Sequence, residues 1–316
     1  MGISRTLVAV VAVGQLLAAQ PAHRAGAGAP PLPALDSARL VSDLAVLAAD
    51  SMEGRRFGTP GGARARAFLV RSFTEIGLAA PRGGFSVAFA AGAAGIRGAN
   101  VVGTIAGTTH AERCIVVSAH YDHLGVRDGV IYNGADDNAS GTAAVLAMAR
   151  WFKAHPPGHS MMFVLFDGEE EGLLGARAFV RNPPVPIGRI IADVNLDMIS
   201  RNEHGELYAA GASVNPEMKP ILDAVAAVAP VTLLLGHDTG SGEGNWIEQS
   251  DQGAFAARKI PFVYFGVEDH PDYHKPGDIV AHIQPGFYYR SARTIAEFVR
   301  RLDTEIPLTP SARTRP

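Results

Sequence analysis

Apolar residues recur at helical spacing in residues 37–49, where Leu40, Val41, Leu44 and Leu47 share one face and Asp36 or Ser37 stands at the N-cap position. Residues 61–76 repeat the pattern through Phe68, Leu69, Phe73 and Ile76, and Gly77 stops it. Residues 85–89 alternate apolar with small or polar side chains, as a half-buried strand does, and residues 100–105 read as a second strand. The middle of the chain changes character. Short unbroken apolar runs appear as CIVVSA at 114–119, MMFVLF at 161–166, IIADVNL at 190–196 and again from Ile260 to Phe265. Helical stretches separate or follow them at 139–152, 173–181 and near 216–228, and an amphipathic helix closes the pattern at about 285–302. Unbroken apolar strands alternating with helices predict a sheet covered on both faces. The expected fold class is α/β: a single domain with a mostly parallel, mixed central sheet and helices on both sides. No internal repeat is visible.

The first residues follow a different rule. Arg5 precedes a 13-residue apolar run at 7–19, and small residues follow. The run is shorter than the roughly 20 residues a bilayer span requires, so it reads as a secretory signal rather than a membrane helix. Ala25-Gly26-Ala27 offers a small-x-small cleavage pattern. The expected division is a signal peptide at 1–27, a linker at 28–34, a catalytic domain at 35–305 and a tail at 306–316. The expected location is secreted or periplasmic, without stable membrane insertion.

Composition narrows the chemistry. Only 19% of the 316 residues are charged, and 28 Lys+Arg against 31 Asp+Glu leave a net charge of −3. There is no basic footprint for nucleic acid, and hydrophobic residues at 47% are too many for a disordered chain. The one cysteine, Cys114, excludes an intrachain disulfide framework and a Cys-based zinc site. Any metal must be held by His, Asp and Glu.

Those residue types gather where such a sheet places ligands, at the carboxyl ends of its strands. CIVVSA runs into His120-Tyr121-Asp122, MMFVLF into Asp167-Gly168-Glu169-Glu170-Glu171, and IIADVNL into Asp197. The strand from Ile260 leads to a loop holding Tyr273-His274-Lys275-Pro276-Gly277-Asp278, and Asp136-Asp137 stand before the helix at 139–152. Taken singly, each has an ordinary reading: Asp136-Asp137 as a helix cap, the Glu run as a solvated helix start, His274 as a surface histidine. Taken together, they are costly to bury near one another without a cation. Three carboxylates facing two divalent ions leave a small positive charge, suited to a carbonyl oxygen and a hydroxide.

The segments SAHYDHLG, NGADDNASG, FVLFDGEEEGLLGA, NLDMISRN and HPDYHKPGD, with the earlier DSMEGRRFGTPGG, resemble in order the co-catalytic di-zinc exopeptidases of the bacterial leucyl aminopeptidase and aminopeptidase Y type. Glutamate carboxypeptidase and glutaminyl cyclase are relatives of that family. The resemblance covers roughly residues 44–283. It implies a zinc exopeptidase-like fold, two Zn2+ per chain and peptide substrates. It implies His120 and Asp197 on one zinc, Glu170 and His274 on the other, and Asp136 bridging both. It further implies Glu169 as general base and Asp122 as the acid that orients the His120 imidazole, a role that fits the usual support of metal-bound histidine. Glu171 and Gln252 depart from the family's common pattern, where an apolar residue and a histidine often stand.

The expected function is therefore an exported zinc aminopeptidase. A carboxypeptidase, a glutaminyl cyclase-like acyltransferase and a non-catalytic binding module are the alternatives. Retention of all five ligand positions favours hydrolysis over cyclisation. Arg201, four residues past Asp197, is either a carboxylate anchor or a surface charge. His123 and His270 lie beside the motifs, as outer contacts or as bystanders. The sequence leaves the oligomeric state open.

Overall fold

In the computed structural model, residues 31–91, 95–242 and 244–306, with Gly2, are described. The expected signal segment at 1–27 and most of the tail at 306–316 lie outside them.

The described residues form an eight-stranded sheet. β1 (Ser86–Ala91) and β2 (Ile96–Ile105) make an antiparallel edge. β3 (His110–His120) is the longest strand, and β4 (Gly125–Arg127) with β5 (Val130–Tyr132) forms a separate hairpin. β6 (His159–Phe166), β7 (Ile190–Leu196), β8 (Glu206–Ala210), β9 (Thr232–Leu235) and β10 (Phe262–Gly266) complete the set. The order across the main sheet is β1-β2-β6-β3-β7-β10-β8-β9. The four central strands β6, β3, β7 and β10 run parallel, while β2 joins β6 and β8 joins β10 in antiparallel fashion. This is the mostly parallel, mixed α/β sheet that the apolar pattern predicts.

Alternation along β3 shows how the sheet divides its two faces. Ile115, Val117 and Ala119 enter the larger core, with α1 (Ser37–Leu47), α2 (Pro60–Ile76), α3 (Gly141–Ala154), α5 (Lys219–Ala226) and α7 (Pro285–Glu305). Cys114 and Val116 enter the smaller core, under α4 (Leu174–Arg181) and α6 (Gln252–Ala256). Helix ends follow local chemistry: Asp36 caps α1 by accepting from the Arg39 N–H, Thr59 caps α2 ahead of Pro60, and Gly77 closes α2 in the left-handed conformation.

Three expectations shift. The helix expected from 139 begins at Gly141, because residues 135–140 form an irregular turn that carries Asp136 and Asp137. The stretch near 216–228 breaks into a 3-10 turn, Pro216–Met218, followed by α5. The strands β8 and β9 and the β4–β5 hairpin escaped the sequence pattern, being three to five residues long. Among the described residues no helix is long and apolar enough to cross a membrane.

Candidate metal centre

Parallel strands ending at one edge deliver the site. β3 ends on His120, β6 leads into Glu169-Glu170, β7 leads into Asp197, and the turn before α3 supplies Asp137. That turn is tightly built. Gly134 has φ +59°, and a Cβ on Gly141 would collide with Asn138 and the Leu196 carbonyl. Close approach at Gly141 lets the turn sit directly on the end of β7.

Two groups of ligand-capable side chains result. In the first, His120 Nε2 lies 3.2 Å from Asp197 Oδ1 and 3.4 Å from Asp137 Oδ1. In the second, His274 Nε2 lies 3.1 Å from Asp137 Oδ2 and 3.3 Å from Glu170 Oε2. His123 joins the second group, with Nδ1 2.7 Å from Glu170 Oε1 and 3.6 Å from Asp137 Oδ2. Asp137 thus presents one oxygen to each group. In both His120-Asp137-Asp197 and His123-Asp137-Glu170, the ligand-capable atoms lie within 4.8 Å of one another.

The shared acid differs from the one expected at Asp136. The Asp136 carboxylate is engaged elsewhere. Its Oδ1 accepts from the backbone N–H and the hydroxyl of Ser200, each at 2.7 Å, and its Oδ2 lies 3.3 Å from His270 Nε2. Successive residues of an irregular turn point in different directions, so the choice between adjacent aspartates was not readable from spacing. Asp122 also differs in detail. Its backbone carbonyl is 3.2 Å from His120 Nδ1, whereas its carboxylate is 3.8 Å away and accepts the backbone N–H groups of Glu169 and Glu170 at 3.0 and 3.4 Å. Asp122 therefore holds the loop of the two glutamates as well as facing the imidazole.

Sequence reasoning missed two supports and one buried acid. The Asp278 carboxylate accepts the N–H groups of Asp136 and Asp137. The fully buried Arg55 guanidinium donates to the carbonyls of Leu47, Tyr121, Asn133 and Gly134. Asp251 is buried with neither carboxylate oxygen hydrogen-bonded among the described residues. A signal for Arg55 existed in the DSMEGRRFGTPGG segment. Arg201, weighed as a carboxylate anchor, is tied to Asp272 at 2.7 Å.

The electrostatics are those of crowded carboxylates. Burial raises the Glu169 carboxyl well above its usual range, and Asp251, Asp197 and Glu170 add to the effect against the His120 charge. Burial opposes a charged His120, yet Asp197, Glu169 and Asp137 hold its pKa well above the ordinary imidazole value. Burial likewise opposes ionised Glu170, but hydrogen bonds from His123 and His274 outweigh it and lower its pKa. His274, 40% exposed, is raised to about 10 by Asp137 and Glu170 against the cost of burial. Buried acids that lift one another's pKa values, faced by imidazoles, form a donor set that divalent cations would neutralise. The residues present fit zinc, which takes such nitrogen and oxygen donors.

The groups open on a cavity of about 390 Å³ whose walls include Glu169, Asp197, Met198, Trp246, Tyr264 and Tyr273. Trp246 packs edge-on against Tyr264 and lies flat on His237, which gives this wall a rigid aromatic side.

Residues 100–299 match the sequence model of peptidase family M28. The chain belongs to peptidase family M28. Among relatives of this M28 chain, a probable zinc metalloprotease of Pyricularia oryzae is 32% identical over 183 residues, which is 52% of this chain and 34% of that protein. Aminopeptidase YwaD of Bacillus subtilis is 30% identical over 171 residues, 52% of this chain and 30% of its own length. The M28 chain thus spans about a third of the length of the curated relatives it matches. The solved structure of BSAP, a zinc aminopeptidase from Bacillus subtilis, superposes with a TM-score of 0.69 at 17% identity, over 88% of this chain and 100% of that one. Porphyromonas gingivalis glutaminyl cyclase gives 0.70 at 18% identity, over 84% and 98%. At these identities the likeness is one of fold, and the M28 fold is shared by peptidases and cyclases.

Proposed function

We propose that this M28 protein is an exported zinc aminopeptidase that hydrolyses the first peptide bond of its substrates. The observation that carries the reading is Asp137, whose two carboxylate oxygens face two ligand groups while Glu169 stands beside them. His120 and Asp197 would hold one zinc, Glu170 and His274 the other, with Asp137 common to both. His123 would then orient Glu170 through their 2.7 Å contact. Bound zinc would supply Lewis acidity toward the scissile carbonyl and lower the pKa of a water at the site.

The chain's own residues supply the rest. Glu169 takes a proton from the attacking water as its oxygen bonds to the scissile carbon. It returns that proton to the nitrogen as the C–N bond breaks, so the base is regenerated. A raised pKa suits both halves of that task. Asp122 fixes the Glu169 and Glu170 backbone through its carboxylate. The aromatic wall of Trp246, Tyr264 and Tyr273 receives an apolar side chain and excludes water. Export rests on the apolar run at residues 7–19 after Arg5.

The test is a panel of aminoacyl anilides, carboxy-terminal substrates and N-terminal Gln peptides, with and without chelator, alongside metal analysis. Chelator-sensitive release of N-terminal residues and two zinc ions per chain are expected. Cyclisation of N-terminal Gln without anilide hydrolysis would overturn the assignment.

A further inference from the structure

The catalytic cavity does not end at the metal centre. Leu173, Arg177 and Glu248 line both it and a second hollow of about 410 Å³. The second hollow lies between α4 and α6, on the side of the sheet that carries the smaller core. Its floor is apolar, from Leu173, Val180 and Ala254, and three guanidinium groups stand around it: Arg177, Arg181 and Arg258. Arg177 and Arg181 are one helical turn apart on α4, and Arg258 lies just past α6.

These arginines differ from most of the others at functional edges. Arg56 pairs with Glu171, Arg201 with Asp272 and Arg64 with Glu53. Among the described residues no carboxylate lies within ion-pair distance of Arg177, Arg181 or Arg258. The charge is also out of keeping with its neighbourhood. The metal cavity is lined by Asp137, Glu169, Glu170 and Asp197, and the overall charge of the chain is negative. The trough carries three arginines against one glutamate, Glu248, so it is net cationic beside an anionic cavity, and the pair orders a peptide by charge: an ammonium toward the acids, a carboxylate toward the arginines.

We propose that this trough is the subsite for the part of the substrate beyond the scissile bond, and that it takes a carboxylate there. The inference rests on the aminopeptidase reading above. The carboxylate is supplied either by the C-terminus of a short peptide or by an Asp or Glu side chain just after the cleaved bond. Unpaired guanidinium groups present forked donors that match either source.

The experiment compares R181E, R258E and the double variant with the parent chain. Neither residue lines the metal cavity, and both are exposed. The substrates are an aminoacyl anilide, a Leu-Ala-Ala peptide as free acid and as amide, and Leu-Glu-Ala-amide. The parent should favour the free acid or the Glu peptide over the neutral amide in kcat/KM. The double variant should lose that preference, by about tenfold for an exposed two-arginine contact, with anilide turnover unchanged. Loss on the free acid alone identifies the C-terminus as the source, and loss on the Glu peptide alone identifies the side chain. Unchanged ratios in the double variant overturn the proposal while anilide turnover leaves the aminopeptidase reading standing. Equilibrium binding of the same peptides to E169Q reads the subsite without turnover. Equal affinity for acid, amide and Glu peptides there overturns it as well, even if no substrate is cleaved.

Discussion

Asp278 holds the backbone of Asp137. One oxygen of its carboxylate accepts the Asp137 N–H at 3.0 Å and the other accepts the preceding Asp136 N–H at 2.8 Å, while the Asp278 carbonyl accepts from Ala135. Three successive backbone donors of the turn that presents the shared acid are thus satisfied by a single residue from the loop that also carries His274. Burial and the nearby Asp136 charge raise the Asp278 pKa to about 6.

In Asp278→Asn the amide nitrogen faces an N–H that previously met an oxygen. A buried donor is left without an acceptor, which costs about 1–3 kcal/mol. Loosening the turn should also weaken zinc binding by about 10- to 100-fold, as loss of an outer hydrogen bond does elsewhere. Competition against a coloured chelator measures this. Parental affinity in the variant would show that Asp278 does not position the acid.

The adjacent aspartates separate cleanly. Asp137→Asn should lower zinc content at both positions, because its two oxygens face both groups. Asp136→Asn should keep both ions, since its carboxylate is engaged by Ser200 and His270. Metal analysis after gel filtration reads the difference. Loss of both ions from the Asp136 variant alone would restore the bridging role to that residue.

That pair marks what the sequence could show. The strand ends, and so the neighbourhood of the site, were legible because buried parallel strands are short unbroken apolar runs with polar residues at their exits. The turn before α3 was not, because side-chain directions in an irregular turn have no period. His123 has two readings in the sequence because one histidine beside another has no spacing of its own, and only the fold brings Glu170 to it. Arg55 stands inside the DSMEGRRFGTPGG segment, but its role as a support is not legible there for a different reason. Its partners are four backbone carbonyls, which carry no side-chain signature.

Arg55 yields a stability prediction. Its guanidinium bridges the segment before α2 to the carbonyl of Tyr121, next to His120, and to that of Gly134, where the turn carrying Asp136 and Asp137 begins, each at 2.8 Å. Burial lowers its pKa to about 10, against the pull of Asp278 and Asp137, so it stays charged at neutral pH. Arg55→Met keeps the stem and strands the carbonyls. We expect about 3–5 kcal/mol of destabilisation in denaturant unfolding of the metal-free chain. A loss below about 1 kcal/mol would mean that water replaces the guanidinium.

Glu169→Gln keeps shape and removes the proton acceptor. Its kcat should fall by about 100- to 10,000-fold, the usual share of a general base. Zinc content should be unchanged, since Glu169 Oε2 is 4.0 Å from His120 Nε2, farther than Asp137 or Asp197. Near-parental turnover with both ions bound would assign the base elsewhere.

The last prediction concerns α7 and the pH of unfolding. The Glu297 carboxylate is almost fully covered and accepts from Arg300 at 2.6 and 2.7 Å and from Arg301 at 2.7 Å. Burial works to raise its pKa, but the two guanidinium groups win and hold it below the ordinary glutamate value. A carboxyl whose folded pKa is depressed stabilises the fold fully above its unfolded pKa, near 4.3, and loses that contribution as pH falls through the folded value. Glu297→Gln should therefore cost about 1–2 kcal/mol at pH 7, discounted for partly exposed partners. The gap between parent and variant should hold steady down to about pH 5 and close on further acidification. Thermal unfolding of the two chains across pH 3–8 checks it, with a gap that widens toward acid as the contrary result.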